Sequence, residues 1–171
     1  MFVRALKCLR CGKRHAPAKG LYVCKKCGGK LEILYDYDAI SEKISKKELS
    51  RRPPGVWKYV EFLPIADPKN IVTLGEGGTP LIEAKKLARE FGMKRLWLKD
   101  ETRNPTSSFK DRPMSVGVSK AVEFGAKVVV TASSGNAAIA LAAYSAKAEI
   151  ECYAFVPAGV PSPKLAQLSI Y

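Results

Sequence analysis

The sequence contains no uninterrupted apolar run of the roughly eighteen residues that a membrane-spanning helix needs, and its N-terminus lacks the apolar segment of a secretory signal. Internal repeats and low-complexity segments are also missing. These absences predict a soluble, cytoplasmic protein with no membrane partner. A length of 171 residues allows one sizeable hydrophobic core or two small ones.

Acidic residues are missing from the first thirty positions, which carry nine of the 29 basic residues. The rest of the chain holds 20 basic and 16 acidic residues, so more than two-thirds of the net charge of +13 lies in this leader. Exposed lysine and arginine can bind nucleic-acid phosphates, and a nucleic-acid-binding module is therefore one hypothesis. The leader has few aromatic residues for stacking on bases, so we favour a solvated basic face.

Four of the five cysteines form two C-x-x-C pairs separated by twelve residues. Glycine follows each pair directly, as the tight turn around a metal requires, and four thiolates suit tetrahedral zinc with no position left for a substrate. The spacing predicts a zinc ribbon over residues 1–35 with a structural ion; a single iron or four unrelated buried thiols are the alternatives. We interpret His15 as a surface residue. The predicted ligands are Cys8, Cys11, Cys24 and Cys27.

Residues 36–78 are predicted to form a connector whose apolar residues, among them Trp57, pack on the main domain. From position 79 onward, helical patterns alternate with short β-branched runs. This alternation predicts an α/β fold with a parallel sheet covered by helices on both faces. We expect helices at about 83–91, 109–124, 137–147 and 162–169, and strands at 95–99, 127–131 and 150–156.

The segment K-D-E-T-R-N-P-T-S-S-F-K-D-R at 99–112 is a polar loop that leads into a helix, with Lys110 in the first turn. The helix dipole and partial burial would both lower the pKa of a lysine there, which would suit a Schiff-base nucleophile or a proton carrier. The alternative is a surface lysine that pairs with Asp111 or Asp100.

The segment T-A-S-S-G-N-A-A at 131–138 joins a predicted strand to a predicted helix. Its small residues would leave backbone amides free at the helix start for a carboxylate, and Asn136 could read a hydroxyl or phenolate oxygen. The alternative is an ordinary turn in which Ser133 or Ser134 caps the helix.

Taken together, S-F-K-D-R-P at 108–113, A-S-S-G-N-A-A at 132–138 and L-G-E-G-G-T-P-L at 74–81 resemble the fold-type II pyridoxal-phosphate enzymes, and among them the threonine synthases most closely. The cysteine-rich leader and R-P-P-G-V-W-K-Y at 52–59 also resemble the N-terminal region of many threonine synthases. This resemblance implies conversion of O-phosphohomoserine and water to threonine and phosphate, with a homodimer as the full-length enzyme. A related reaction such as cysteate synthesis from phosphoserine is an alternative that shares the motifs.

The resemblance also implies residue roles. Lys110 would hold pyridoxal phosphate covalently and then move protons, Asn136 would hydrogen-bond the ring oxygen of the cofactor, and Phe109 would help to wall the pocket. The substrate carboxylate would lie on Ser133, Ser134 and Gly135. One departure is Ala137, where many threonine synthases carry a hydroxyl residue, so we expect no substrate-phosphate contact from that side chain.

Two parts of the family's site are not recognisable in the sequence: the glycine-rich loop for the cofactor phosphate and the hydroxyl residue that meets the ring nitrogen. We therefore expect this chain to be an N-terminal portion of such an enzyme, without turnover by itself.

Overall fold

The computed structural model describes all 171 residues, which divide into two compact units. The smaller unit comprises residues 1–53 and 57–69, and the larger one residues 54–56 and 70–171. The segment predicted as a connector at 36–78 is therefore shared between the two units. Its expected packing on the main domain stays a prediction. None of the helices combines the length and apolar character that crossing a bilayer requires.

A three-stranded antiparallel sheet opens the smaller unit, with strands β1 (Val3–Cys8), β2 (Arg14–His15) and β3 (Leu31–Tyr35) in the order β2-β1-β3. Strand β1 carries Cys8 at its end, and the pairing of Cys8 with Leu31 brings the two cysteine-rich turns together. The two-residue β2 is too short to show a pattern in the sequence.

Two short helices, α1 (Tyr37–Lys43) and α2 (Lys46–Arg51), follow the sheet. Each begins at a side-chain cap: Asp36 accepts a hydrogen bond from the Ala39 amide, and Ser45 forms a capping box with Glu48. The 3₁₀ segments Val56–Phe62 and Pro68–Asn70 come next. The Arg52 guanidinium donates to both carboxylate oxygens of Glu61 at 2.7 Å, which fixes the chain on either side of the proline pair at 53–54.

The larger unit alternates strands and helices, as the sequence predicted. Its elements are β4 (Leu81–Glu83), α3 (Lys85–Glu90), β5 (Trp97–Lys99), a 3₁₀ turn at Glu101–Arg103, α4 (Asp111–Glu123), β6 (Val128–Ala132), α5 (Asn136–Lys147), β7 (Glu151–Phe155) and α6 (Ser162–Ser169). Gly92 and Gly125 take positive φ just beyond α3 and α4, because a left-handed residue closes a helix and glycine adopts it without strain. The helix ends predicted at positions 91 and 124 are confirmed to within one residue.

The sheet arrangement differs from the single parallel sheet that the sequence predicted. Strands β6 and β7 pair in parallel, whereas β5 pairs antiparallel with β4 in a separate two-stranded sheet. The sequence did not predict strand β4, because three residues are too few to show an alternation, and the strand overlaps the helix expected at about 83–91 only at Glu83. One face of the β6–β7 pair is also exposed, including Val130 and Phe155, so the expected cover on both faces is not found.

The core of the larger unit lies where α4 and α5 pack on each other and on β6 and β7. Val118 of α4 and Tyr144 of α5 are fully buried in it. Every residue of α5 from 138 to 145 is buried, and half of them are alanines, whose small side chains let the helix approach its neighbours closely. This packing places the N-terminal ends of α4 and α5, where the candidate site residues lie, on the same core.

Candidate functional site

Lys110 immediately precedes helix α4 and already has helical backbone angles, with φ −64° and ψ −20°. Its side chain is half-buried, and Nζ lies 4.8 Å from the ring centroid of Phe109, which is 55% exposed. The Lys110 amide donates to the Ser108 hydroxyl at 3.2 Å. The Lys110 amine therefore forms a cation–π contact with Phe109 at a helix start that has no side-chain cap.

The ion pairs offered as the alternative for Lys110 are not formed. Asp111 is fully buried, and its carboxylate accepts hydrogen bonds from the amide and the hydroxyl of Thr106, at 2.8 to 3.2 Å. Asp100 instead pairs with Arg103 at 3.7 Å. Asp111 therefore anchors the polar loop to the start of α4 and leaves the Lys110 amine out of its hydrogen bonds.

A second carboxylate, Glu101, fixes the same loop from the other side. Arg112 donates to both of its oxygens at 2.7 Å, Thr79 donates at 2.7 Å and Asn104 at 2.9 Å. These hydrogen bonds, chiefly those from Arg112, lower the pKa of Glu101 to about 2. Asn104 also accepts from the Gly77 amide at 2.9 Å, so the two motifs around positions 77 and 112 form one network.

The sequence indicated no role for Glu101 or Arg112, and it indicated Asp111 only as a possible ion-pair partner of Lys110. Arg112 and Asp111 lie beside Lys110 in the motif that carries the resemblance, which was the available signal. No sequence pattern indicates which charges pair across a fold.

The turn between β6 and α5 has the open helix start that the sequence predicted. Asn136 is the first residue of α5 and is exposed, and Ser133, Ser134 and Gly135 before it are half-buried. The cap position is Gly135, with no side-chain hydrogen bond, while the Ser133 hydroxyl accepts from the Gly135 amide at 3.2 Å. The alternative in which Ser133 or Ser134 caps the helix is therefore wrong, and the first turn of α5 can offer amides to an anion.

The four predicted metal ligands come together in the smaller unit, with all Sγ atoms within 4.8 Å of one another. The Sγ atoms of Cys8 and Cys27 are 3.5 Å apart and those of Cys11 and Cys24 are 3.7 Å apart. A tetrahedral zinc with bonds of about 2.3 Å places its sulfurs roughly 3.8 Å apart, so the donor set fits that ion. Backbone amides of Arg10, Cys11 and Lys26 point at the sulfurs, at 3.4 to 3.5 Å.

His15 is not the surface residue that the sequence predicted. Its side chain is half-buried, and Nε2 lies 3.3 Å from the Cys24 sulfur. The pairing of β1 with β2 brings it there, because His15 lies opposite Leu6 on β1. His15 therefore contacts a ligand and stays outside the four-sulfur set.

The sequence pattern of the family described as "Pyridoxal-phosphate dependent enzyme" matches residues 72–171. The curated relatives that match nearly the whole chain include the threonine synthase of Methanocaldococcus jannaschii. It is 48% identical, and the match covers 96% of this chain and 41% of its own length. That of Methanosarcina acetivorans is 47% identical over 95% of this chain and 39% of its own length. This chain thus spans about two-fifths of the length of these relatives.

Among solved structures, a pyridoxal 5'-phosphate-dependent aspartate racemase matches 54% of this chain and 30% of its own chain, with 33% identity and a TM-score of 0.51. Maize serine racemase matches 54% of this chain and 28% of its own, with 30% identity and a TM-score of 0.50. The similarity in fold to these two structures therefore extends over about half of this chain.

Proposed function

This chain belongs to the family of pyridoxal-phosphate dependent enzymes, and we propose that its residues form part of the active site of a threonine synthase, which converts O-phosphohomoserine and water to threonine and phosphate. The observation that carries this proposal is the extent of the match. The similarity to threonine synthases covers the cysteine-rich leader as well as the larger unit, whereas the similarity to the racemases covers about half of the chain.

The residues around Lys110 fit a pyridoxal-phosphate cofactor in their chemistry. Lys110 supplies a half-buried amine free of ion pairs, and the exposed Asn136 supplies an amide beside an uncapped helix start. The cofactor, when bound, supplies an electron sink for charge that develops next to a substrate carbonyl.

Within that site, Lys110 would hold the cofactor covalently and move protons at its Nζ atom. Asn136 would hydrogen-bond the ring oxygen, and Phe109 would help to wall the pocket. The substrate carboxylate is bound by Ser133, Ser134 and Gly135, where the half-buried backbone and the start of α5 favour an anion.

The experiment is to incubate the protein with pyridoxal phosphate, reduce it with borohydride and locate the modified lysine by peptide mass spectrometry. The Lys110 amine condenses with the cofactor aldehyde with loss of water, and hydride from borohydride makes the link permanent. We expect the label on Lys110 and none on that peptide in Lys110→Arg. In the control Lys120→Arg, which alters a lysine within α4, Lys110 should be labelled as in the unmodified protein. A label spread evenly over surface lysines would contradict the proposal.

Substrate specificity is tested on the same label. O-phosphohomoserine should lower the labelled fraction of Lys110, because its amino group competes with Lys110 for the aldehyde. Homoserine should have a weaker effect, since it lacks the phosphate. Stronger competition by phosphoserine would instead favour the alternative reaction, cysteate synthesis.

The second part of the proposal is a structural zinc held by the four clustered cysteines. Its support is the spacing of the sulfurs and the amides that point at them, which stabilise thiolates. The Cys11 amide lowers the pKa of Cys8 to about 6 although burial opposes this shift. At Cys27 the Gly29 amide is outweighed by neighbouring thiols and burial, which raise the pKa to about 12. We expect one zinc per chain by elemental analysis; one iron per chain would replace zinc in this assignment, and no metal would refute it.

A further inference from the structure

The segment at residues 72–76 is buried at its two ends, Val72 and Glu76, while residues 73–75 between them are exposed. Its buried ends form hydrogen bonds to helices α4 and α5. At one end, the Val72 amide donates to the Ser119 hydroxyl at 2.8 Å, and the Val72 carbonyl accepts from the Ser115 hydroxyl at 2.8 Å. Both serines are fully buried on α4. They lie four residues apart, so they face the same way on the helix. Val72 is thereby attached to the helix that begins at Lys110.

At the other end, Glu76 is attached to the helix that begins at Asn136. Its carboxylate is only 1% exposed, and Oε2 accepts from the hydroxyl of Tyr144 on α5 at 2.9 Å. The same oxygen accepts from the Thr73 hydroxyl at 2.9 Å and from the Leu74 amide at 3.1 Å. Burial raises the pKa of Glu76, but hydrogen bonds from Ser115, Leu74 and Tyr144 outweigh it, so the pKa lies below its ordinary value.

A buried carboxylate costs more free energy than an apolar side chain of the same size, so stability alone does not account for Glu76. The three hydrogen bonds to Oε2 of Glu76 nevertheless favour one arrangement of the elements they join, because hydrogen bonds depend more strictly on distance and direction than apolar contacts do. The elements joined here are the two whose N-terminal ends carry Lys110 and the turn at 132–136.

We propose that Glu76 and Tyr144 are positioning residues: through the segment 72–76 they hold α4 and α5 at a fixed spacing, and so hold Lys110 in register with the turn before Asn136. This inference rests on the proposed cofactor site. It assigns no contact with substrate or cofactor to either side chain.

The first test measures amide hydrogen exchange in the full chain without cofactor. Tyr144→Phe keeps the ring and removes the hydroxyl, so we expect exchange in residues 72–76 and in the first turn of α5 to speed up about tenfold, as for loss of one hydrogen bond to a charged acceptor. Glu76→Gln keeps an acceptor oxygen of the same shape and should change these rates less than about threefold.

The matched control is Tyr153→Phe, which removes an exposed tyrosine hydroxyl that donates to Glu151 at 2.9 Å on β7. It should leave both segments unchanged. If Tyr144→Phe leaves them unchanged too, or speeds up every slow amide by the same factor, the hydroxyl contributes only general stability and the inference is overturned.

The second test is the borohydride label at Lys110. We expect the labelled fraction to fall at least about threefold in Tyr144→Phe and to stay near the unmodified level in Glu76→Gln. If the labelled fraction of Lys110 is unchanged in Tyr144→Phe, the positioning role is overturned, even if hydrogen exchange speeds up in both residues 72–76 and the first turn of α5. Absence of label in the unmodified protein refutes the proposed cofactor site, and the exchange result then still decides whether segment 72–76 couples the two helices.

Discussion

Replacing Glu101 by glutamine tests whether one carboxylate holds the polar loop to α4. The structure gives this carboxylate four hydrogen bonds: two from Arg112 at 2.7 Å, one from Thr79 at 2.7 Å and one from Asn104 at 2.9 Å. Glutamine has nearly the same shape but only one acceptor oxygen and no charge. The substitution therefore removes the ion pair with Arg112. It also places an NH2 group, which donates hydrogen bonds, where one of the two carboxylate oxygens accepts them.

The magnitude follows from the pKa of Glu101, which lies at about 2 against an ordinary value of 4.5. At 1.36 kcal/mol per pKa unit this difference corresponds to roughly 3 kcal/mol. The side chains of Glu101 and Arg112 are 25% and 32% exposed, so solvent screening reduces the contribution, and we expect Glu101→Gln to cost about 2 kcal/mol.

The sign of the pH dependence follows from the lowered pKa. Because the folded protein holds Glu101 ionised, its contribution to the free energy of unfolding is fully present above about pH 4.5 and is lost as the pH falls toward 2. The stabilities of the unmodified protein and of Glu101→Gln should therefore differ most near pH 7 and converge toward pH 2.

Urea unfolding followed by circular dichroism at several pH values measures both quantities. The control is Glu83→Gln, since Glu83 has only the longer ion pairs to Lys85 and Arg95, at 3.7 and 3.8 Å, and should cost less than about 0.5 kcal/mol. A destabilisation by Glu101→Gln that is the same at pH 7 and near pH 2 would refute the assignment of this contribution to the carboxylate charge.

Three further outcomes are expected. Gly77→Ala should lower stability by about 2–4 kcal/mol in thermal unfolding, because φ is +88° and a Cβ would lie 2.8 Å from the Val56 nitrogen; Gly75→Ala, with φ +86° and no atom within 4 Å, should cost about 1 kcal/mol. Ser107→Gly should raise stability by about 0.5–1 kcal/mol, since Ser107 has φ 57°, and an unchanged or lower melting temperature would contradict this. Cys11→Ser should reduce bound zinc well below one per chain by elemental analysis.

The helices of the larger unit could be predicted because their signals are local. Gly92 and Gly125 mark the ends of α3 and α4, and Pro113 lies in the first turn of α4, where its missing amide is not needed. The alanine-rich pattern of α5 could be predicted for the same reason. The structure shifts most of these boundaries by one or two residues.

The sheets were harder to predict because pairing is a long-range property. Nothing in R-L-W-L-K at 95–99 shows that β5 pairs antiparallel with β4 and not with the next strand along the chain. The two-residue β2 and the three-residue β4 are also too short to show the alternation of apolar and polar residues that indicates a strand.

At the two candidate sites, one in each unit, the sequence by itself determined the cysteine quartet of the smaller unit, and Lys110 at the start of α4 and the small-residue turn before Asn136 in the larger one. Each of these features depends on spacing over a few residues. Only the tertiary structure decided which charges meet. Glu76 and Tyr144 are 68 positions apart, and Arg112 reaches Glu101 and Thr79 across the fold. Such contacts depend on where the packed helices bring distant side chains, which no local pattern in the sequence records.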